Sequence, residues 1–299
     1  MTALTFGIYP APQAAPFDGL VERARRAEAM GFDGLWVADE TPMAYPEIIE
    51  LEAWSLLGAL ARETSRIRLG TLVSPVTFRH PLLLAMCVST VDHASGGRVV
   101  LGLGVGGSQA DLAGIGAEAL RPGELVDRLE EQVVMVDALL RGEHVTREEG
   151  PHRTRDAFVP RPVQRPRPPI LVAAQGRRAL GIAARHADIW NSMGGQPLEG
   201  ARVTLGEALA ETRRQVEALE AACATAGRDP ATLRRSVFAW RARVWASPDA
   251  FAEWVGRYRE LGFSDFSAWW PSPKGERHEE QEAVLEHVAA GVIPALRRG

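Results

Sequence analysis

The chain is nearly without lysine and cysteine. Lys274 is its only lysine, set in the loop-like "PSPKGER", so chemistries that need a buried amine have one poorly placed candidate. A P-loop, which needs its own lysine, is excluded. The two cysteines, Cys87 and Cys223, stand far apart within apolar helical patterns, which predicts free thiols in a reducing compartment rather than a disulfide. No H-x-H, H-E-x-x-H or Cys/His cluster occurs, so no catalytic metal is expected, and no G-x-S-x-G elbow is present. A formal net charge of -4 offers nucleic acid or an anionic membrane no clustered positive surface. The start, "MTALTFGIYP", lacks a basic region followed by an apolar one, and no apolar run reaches the roughly 18 residues of a membrane span. A soluble, cytoplasmic protein is the expectation.

What the chain does have is a regular alternation of short β-rich runs with amphipathic helical stretches. Strand candidates are Leu4–Tyr9, Gly34–Asp39, Ile67–Val73, Arg98–Val105, Pro169–Gln175, Ala187–Met193, Ser236–Trp245 and Asp265–Trp270. Helices between them have recognisable ends, such as Gly31 after Met30 and "SGG" after Ala94. Eight strand-then-helix repeats predict one (β/α)8 TIM barrel over residues 1–299, with a doubly wound sheet as the alternative. The proline- and arginine-rich piece about 142–168 is too long for a plain connection and reads as an insertion or lid before strand five.

In "VVLGLGVGGSQ", Gly102, Gly104 and Gly107 have the spacing G-x-G-x-x-G. A dinucleotide fingerprint follows the first strand and has an acidic residue about 20 positions on. Here the run sits on the fourth strand, and a charged helix follows, so the Rossmann reading fails. Alternation instead puts Gly102, Gly104 and Gly106 on one bare strand face, which either admits a flat ligand or makes room for neighbours.

A barrel's active site lies at the C-terminal strand ends. That rule collects Asp39 and Glu40 after strand two, Phe78 and His80 after strand three, Gln175, Gly176 and Arg177 after strand five, and Asn191 and Ser192 at the end of strand six. Asp92 and His93, which close a helix at the opposite face, read as structural. Gly176 with Arg177 and Arg178 opens a helix, whose free N–H groups favour a phosphate. Trp240 and Trp245 fall in strand seven and Trp269 and Trp270 at the end of strand eight. Together with Phe78 and His80 they suggest a pocket for an apolar or aromatic substrate, unless alternation turns one tryptophan of each pair outward.

Three stretches, "AEAMGFDGLWVADE", "RIRLGTLVSPVTFRHPLLLAMCVSTVDHASGGRVVLGLGVGG" and "PRPPILVAAQGRRALGIAARHADIWNSM", resemble the bacterial luciferase-like monooxygenase superfamily of flavin- and deazaflavin-dependent oxidoreductases. The resemblance implies FMN or coenzyme F420 at the C-terminal mouth. It implies a non-prolyl cis peptide at Leu72-Val73 beside the ring system, Val105 and Gly106 along it, and Asp39 as a cofactor contact. Gln175, Gly176, Arg177, Asn191 and Ser192 would meet the phosphate and ribityl chain. It also implies a small-molecule substrate, a flavin or F420 reductase as partner, and a homodimer. The relatives' catalytic histidine is replaced by Glu40, the one candidate acid, and a glutamate that follows their glycine run is replaced by Gly107. Those departures keep open a catalytically silent flavin-binding barrel and a cofactor-free sugar-phosphate isomerase or lyase.

Overall fold

Alternation along a strand decides which side chains meet the helices and which meet the barrel axis. In the computed structural model, which describes residues 3–10, 16–41, 51–106, 109–197, 200–271 and 278–298, eight parallel strands use it that way. They are β1 (Thr5–Tyr9), β2 (Gly34–Val37), β3 (Arg68–Thr71), β4 (Val99–Gly104), β5 (Ile170–Ala173), β6 (Ile189–Ser192), β7 (Arg234–Phe238) and β8 (Asp265–Trp269). Each pairs with the next, and β1 pairs with β8 in register Thr5↔Asp265 to Tyr9↔Trp269, which closes the barrel. A two-residue extension, Ser74–Pro75, pairs beside β4 at Ser74↔Leu103. The expected (β/α)8 barrel is the observed architecture.

Outward-facing residues such as Ile8, Leu35, Leu101 and Trp190 bury against the helices. Each large apolar side chain removed from water contributes roughly 1.5–3 kcal/mol. Inward-facing residues form a second, smaller cluster that includes Tyr9, Trp36, Val100 and Phe238.

The helical sleeve follows the sequence signals. Helix α1 (Phe17–Ala29) buries Leu20, Val21, Ala24 and Ala27, and α2 (Ala53–Glu63) is capped by Glu52, which accepts the Ser55 N–H at 2.7 Å. Helix α3 (Pro81–Ser95) ends on Gly96 at φ 69°, a left-handed cap that suits glycine. Next come a short α4 (Gln109–Gly114), α5 (Pro122–Arg141) and α6 (Arg177–His186). Helix α7 (Leu205–Thr225) opens with a Thr204/Glu207 capping box, and α8 (Pro248–Arg259) precedes β8. The last helical stretch is α9 (His278–His287), a π turn over Val288–Val292 and α10 (Ile293–Arg298).

One expectation needs correction. Strand seven stops at Phe238 and not at Trp245, because Trp240 N–H turns back to the Phe238 carbonyl at 2.8 Å and Val244–Ala246 forms a 3-10 turn. The segment 142–168 forms an insertion before strand five that packs along α3. Gly142 ends α5 at φ 84°, and a hairpin of Val145–Arg147 with Thr154–Ala157 follows. The return is pinned along α3: Ser89 Oγ donates to the Pro160 carbonyl at 2.5 Å. Gln164 donates to buried Asp92 through its backbone N–H at 2.9 Å and through Nε2 at 2.7 Å. Asp92 therefore has the structural role read from its position. No helix among the described residues is long and apolar enough to cross a membrane. Lys274 and Gly107 lie outside the described residues.

Candidate active site

The C-terminal strand ends gather a carboxylate group, an aromatic wall and an open helix start. Asp39, directly after β2, is buried at 3% exposure, and Arg79 Nη1 lies 2.6 Å from its Oδ2. Ser74 Oγ donates to the same oxygen at 2.5 Å and itself accepts Trp54 Nε1 at 3.2 Å. Arg79 also bonds Glu52, so one guanidinium ties the end of β2 to the start of α2. Burial pushes the Asp39 carboxyl up, and Arg79 and Ser74 pull it back only in part.

Glu40, at the next position, is exposed. Its carboxyl is pushed up to about 7, first by loss of surrounding water and then by the negative charges of Asp111 and Asp39. Asp111 comes from α4, is buried at 4% exposure, and accepts the Thr41 N–H at 3.0 Å. Neither Asp111 nor Arg79 stands out in the sequence. The only advance signal for Arg79 is its place in "TFRHP", and the short helix carrying Asp111 lies between glycines.

The Leu72-Val73 peptide is cis, as the resemblance implied, and both side chains join the inward cluster. This turn uses most of the bare glycine face. A Cβ at Gly102 would come 2.0 Å from the Thr71 carbonyl oxygen, and one at Gly104 would come 2.5 Å from Val73 Cγ2. These two glycines admit the neighbouring strand end rather than a ligand. Gly106 has φ +83°, a left-handed conformation at the lip that side chains rarely adopt. The Val105 side chain packs toward the outer core, leaving its backbone at the lip.

The tryptophans divide as alternation allows. Trp269 faces inward, 4.4 Å from Tyr9 and 5.5 Å from Trp240 between ring centroids. Its Nε1 donates to the Trp240 carbonyl at 3.1 Å, while the Trp240 Nε1–H is buried without a partner among the described residues. Trp270 is turned outward beneath Arg26, whose guanidinium lies 5.2 Å from the ring, and its Nε1 bonds Glu282. It does not line the pocket. Trp245 is stacked on Phe251 of α8 at 5.3 Å, also on the helix side. Phe78 is half-buried in the loop after β3. His80 serves first as the N-cap of α3, its Nδ1 accepting the Leu82 N–H at 3.2 Å, and its ring meets His152 of the flank hairpin at 5.3 Å.

At the far side of the mouth, Gly176 opens α6 with no side-chain cap, and Arg177 is exposed without a partner among the described residues. Arg178 leans away to Asp127, and Gln175 is half-buried beside them. These are the features an incoming phosphate uses. Two neighbours expected there are committed elsewhere. Ser192 is fully buried with Oγ donating to Gln215 of α7 at 2.8 Å, because it falls on the outward face of β6. Asn191 faces inward but donates through Nδ2 to Ser236 at 3.0 Å. No group of three or more metal-ligating side chains occurs among the described residues.

Comparison with known proteins agrees with this geometry. A family model described as luciferase-like monooxygenase matches residues 2–283. An F420-dependent glucose-6-phosphate dehydrogenase of Microbacterium testaceum is 28% identical, covering 99% of this chain and 98% of that protein. A phthiodiolone/phenolphthiodiolone dimycocerosates ketoreductase of Mycobacterium bovis is 31% identical over 69% of this chain and 56% of its own length. Among solved structures, the coenzyme F420-dependent tetrahydromethanopterin reductase from Methanopyrus kandleri superposes with a TM-score of 0.77 at 20% identity, covering 98% of this chain and 99% of that one.

Proposed function

This chain belongs to the luciferase-like monooxygenase family, and from that premise we propose that it is an F420-dependent oxidoreductase that reduces the carbonyl of a small apolar or aromatic substrate. The observation that carries this reading is Glu40: a carboxyl raised to about 7 beside Asp111 and Asp39, at the end of the barrel where Tyr9, Trp240 and Trp269 gather.

The residues present fit such a cofactor. The open N–H groups at the start of α6 and Arg177, which has no partner among the described residues, suit its phosphate, and Gly106 at φ +83° leaves the lip without a side chain beside a flat ring. When bound, the deazaflavin supplies a hydride. The protein's own share is the proton and the surroundings. With its carboxyl near 7, Glu40 is partly protonated at neutral pH and can pass that proton to a carbonyl oxygen that is gaining negative charge. Asp111 and Asp39 keep the proton on Glu40 by repulsion, and Arg79 holds Asp39 in place. The aromatic wall excludes water and offers flat apolar surface, with few fixed charges to bind a sugar phosphate. A separate reductase would return the cofactor to its reduced form.

Fluorescence-quenching titrations with F420 and with FMN, followed by turnover of a substrate panel, test the proposal. Preferential F420 binding with turnover of aromatic ketones or enones is the expected result. Binding of neither cofactor, or activity confined to phosphorylated or polyhydroxylated substrates, overturns it. Tight FMN binding with oxygen consumption would reassign the chemistry to oxygenation.

A further inference from the structure

Barrels of this kind are filled inside by layers of branched side chains. Here the N-terminal half of the interior is built largely from small residues. Gly7, Gly34 and Gly70 lie under the single large ring of Trp36; a Cβ at these positions would come 2.2, 3.4 and 2.7 Å from that indole. Ser236 and Ser267 complete the inner wall. These glycines give their side-chain space to the indole, and a cavity of about 420 Å³ opens between Trp36 and the strand starts. It lies at the end opposite the mouth and includes none of Asp39, Glu40, Trp269 or the α6 start among its lining residues. Val100, Leu171, Ile189 and Trp36 give it apolar sides, and exposed Arg66 and Arg68 stand at its rim.

The polar groups of this cavity ask for acceptors. Each lining carboxylate is already held. Glu28 accepts the N–H groups of Arg66 at 2.6 Å and Ile67 at 2.9 Å. Asp33 accepts Phe6 N–H at 2.7 Å and Arg297 at 2.5 Å, and Asp265 is bonded by Thr5 and Arg234. The donors are not used up. The Arg66 and Arg68 guanidinium groups make no hydrogen bond among the described residues, and the Arg68 charge also acts on Asp265. The Trp36 Nε1–H, on a residue 9% exposed, and the Arg234 Nε–H are buried with no acceptor among the described residues.

We propose that the N-terminal end of the barrel is a second ligand site, for a small carboxylate with a short apolar body and a further acceptor oxygen. The carboxylate pairs with Arg68 and Arg66 at the rim, the body lies against Val100, Leu171 and Ile189, and the inner oxygen faces Ser267 and Trp36. An occupied site would brace Trp36, the ring that separates this cavity from the mouth.

Calorimetric titration of the full chain with 4-methoxybenzoate, benzoate and 4-methoxybenzylamine tests this. The expected result is saturable binding of 4-methoxybenzoate, at least tenfold weaker binding of benzoate and of the amine, and at least a tenfold loss in Arg68→Glu. Arg68 is exposed, and thermal unfolding of the variant checks that its fold is kept. Arg177→Ala, at the other end of the barrel, should leave the affinity unchanged. Absence of binding at millimolar concentration, indifference to Arg68→Glu, loss in Arg177→Ala, or equal affinity for either comparison compound overturns the proposal.

Discussion

Replacing Glu40 with glutamine separates the proton from the shape of the side chain. In the folded chain the carboxyl stands at about 7 against an ordinary 4.5, so between those values the folded state holds a proton that the unfolded chain releases. Stability from this group is therefore full below about pH 4.5, falls as pH rises, and is lost above about pH 7. A shift of that size on a buried group would correspond to about 3 kcal/mol. Glu40 is exposed, and solvent screening reduces the figure to roughly 1 kcal/mol. Glu40→Gln should therefore match the parent near pH 4.5 and be more stable by roughly 1 kcal/mol at pH 8, or about 2 °C in Tm for a chain of this length. Urea unfolding at pH 4.5, 6, 7 and 8 reads the difference directly. The same variant, given reduced cofactor and a working substrate, should lose about 10²-fold or more in rate and lose the decline above pH 7. A stability gap constant across pH would refute the raised carboxyl, and a rate within twofold of the parent would refute its role as acid.

Arg79→Ala leaves Asp39 buried without its 2.6 Å partner and should cost about 3 kcal/mol in unfolding measurements at pH 8. The loss should shrink as pH falls and Asp39 takes up a proton; equal loss at pH 5 and pH 8 would contradict the pairing. Arg177→Ala, exposed and unpartnered, should leave Tm unchanged but weaken cofactor binding by about 1.5–3 kcal/mol, with riboflavin, which lacks the phosphate, unaffected as the control. The adjacent tryptophans should behave in opposite ways. Trp270→Leu is expected to lower stability by about 2–3 kcal/mol without altering substrate preference, and Trp269→Leu to raise KM for aromatic substrates with a smaller loss in stability.

Chain order, strand count and helix ends were legible in the sequence because they depend on local rules. Turn chemistry and the helical period place α6 at Arg177–His186, and glycine's left-handed tolerance ends α3 at Gly96. The Leu72-Val73 cis peptide was legible by resemblance alone. Which way a strand residue faces was not. In a closed barrel both strand faces are buried, so alternation yields two sets of positions but does not say which set is the inside. Ser192 and Trp270 therefore read as mouth residues and proved to face the helices. The site's electrostatics lay further from view. The Glu40 carboxyl is raised first by burial and then by the charge of Asp111, whose contact with Thr41 spans 70 positions, and Asp39 is held by Arg79 across 40. The cavity under Trp36 is lined by Gly7, Gly34, Ser236 and Ser267, drawn from four different strands. Local sequence selects helix or strand because those hydrogen bonds close within a few residues; a proton's affinity and an empty volume depend on groups that only closure of the barrel brings within a few ångströms.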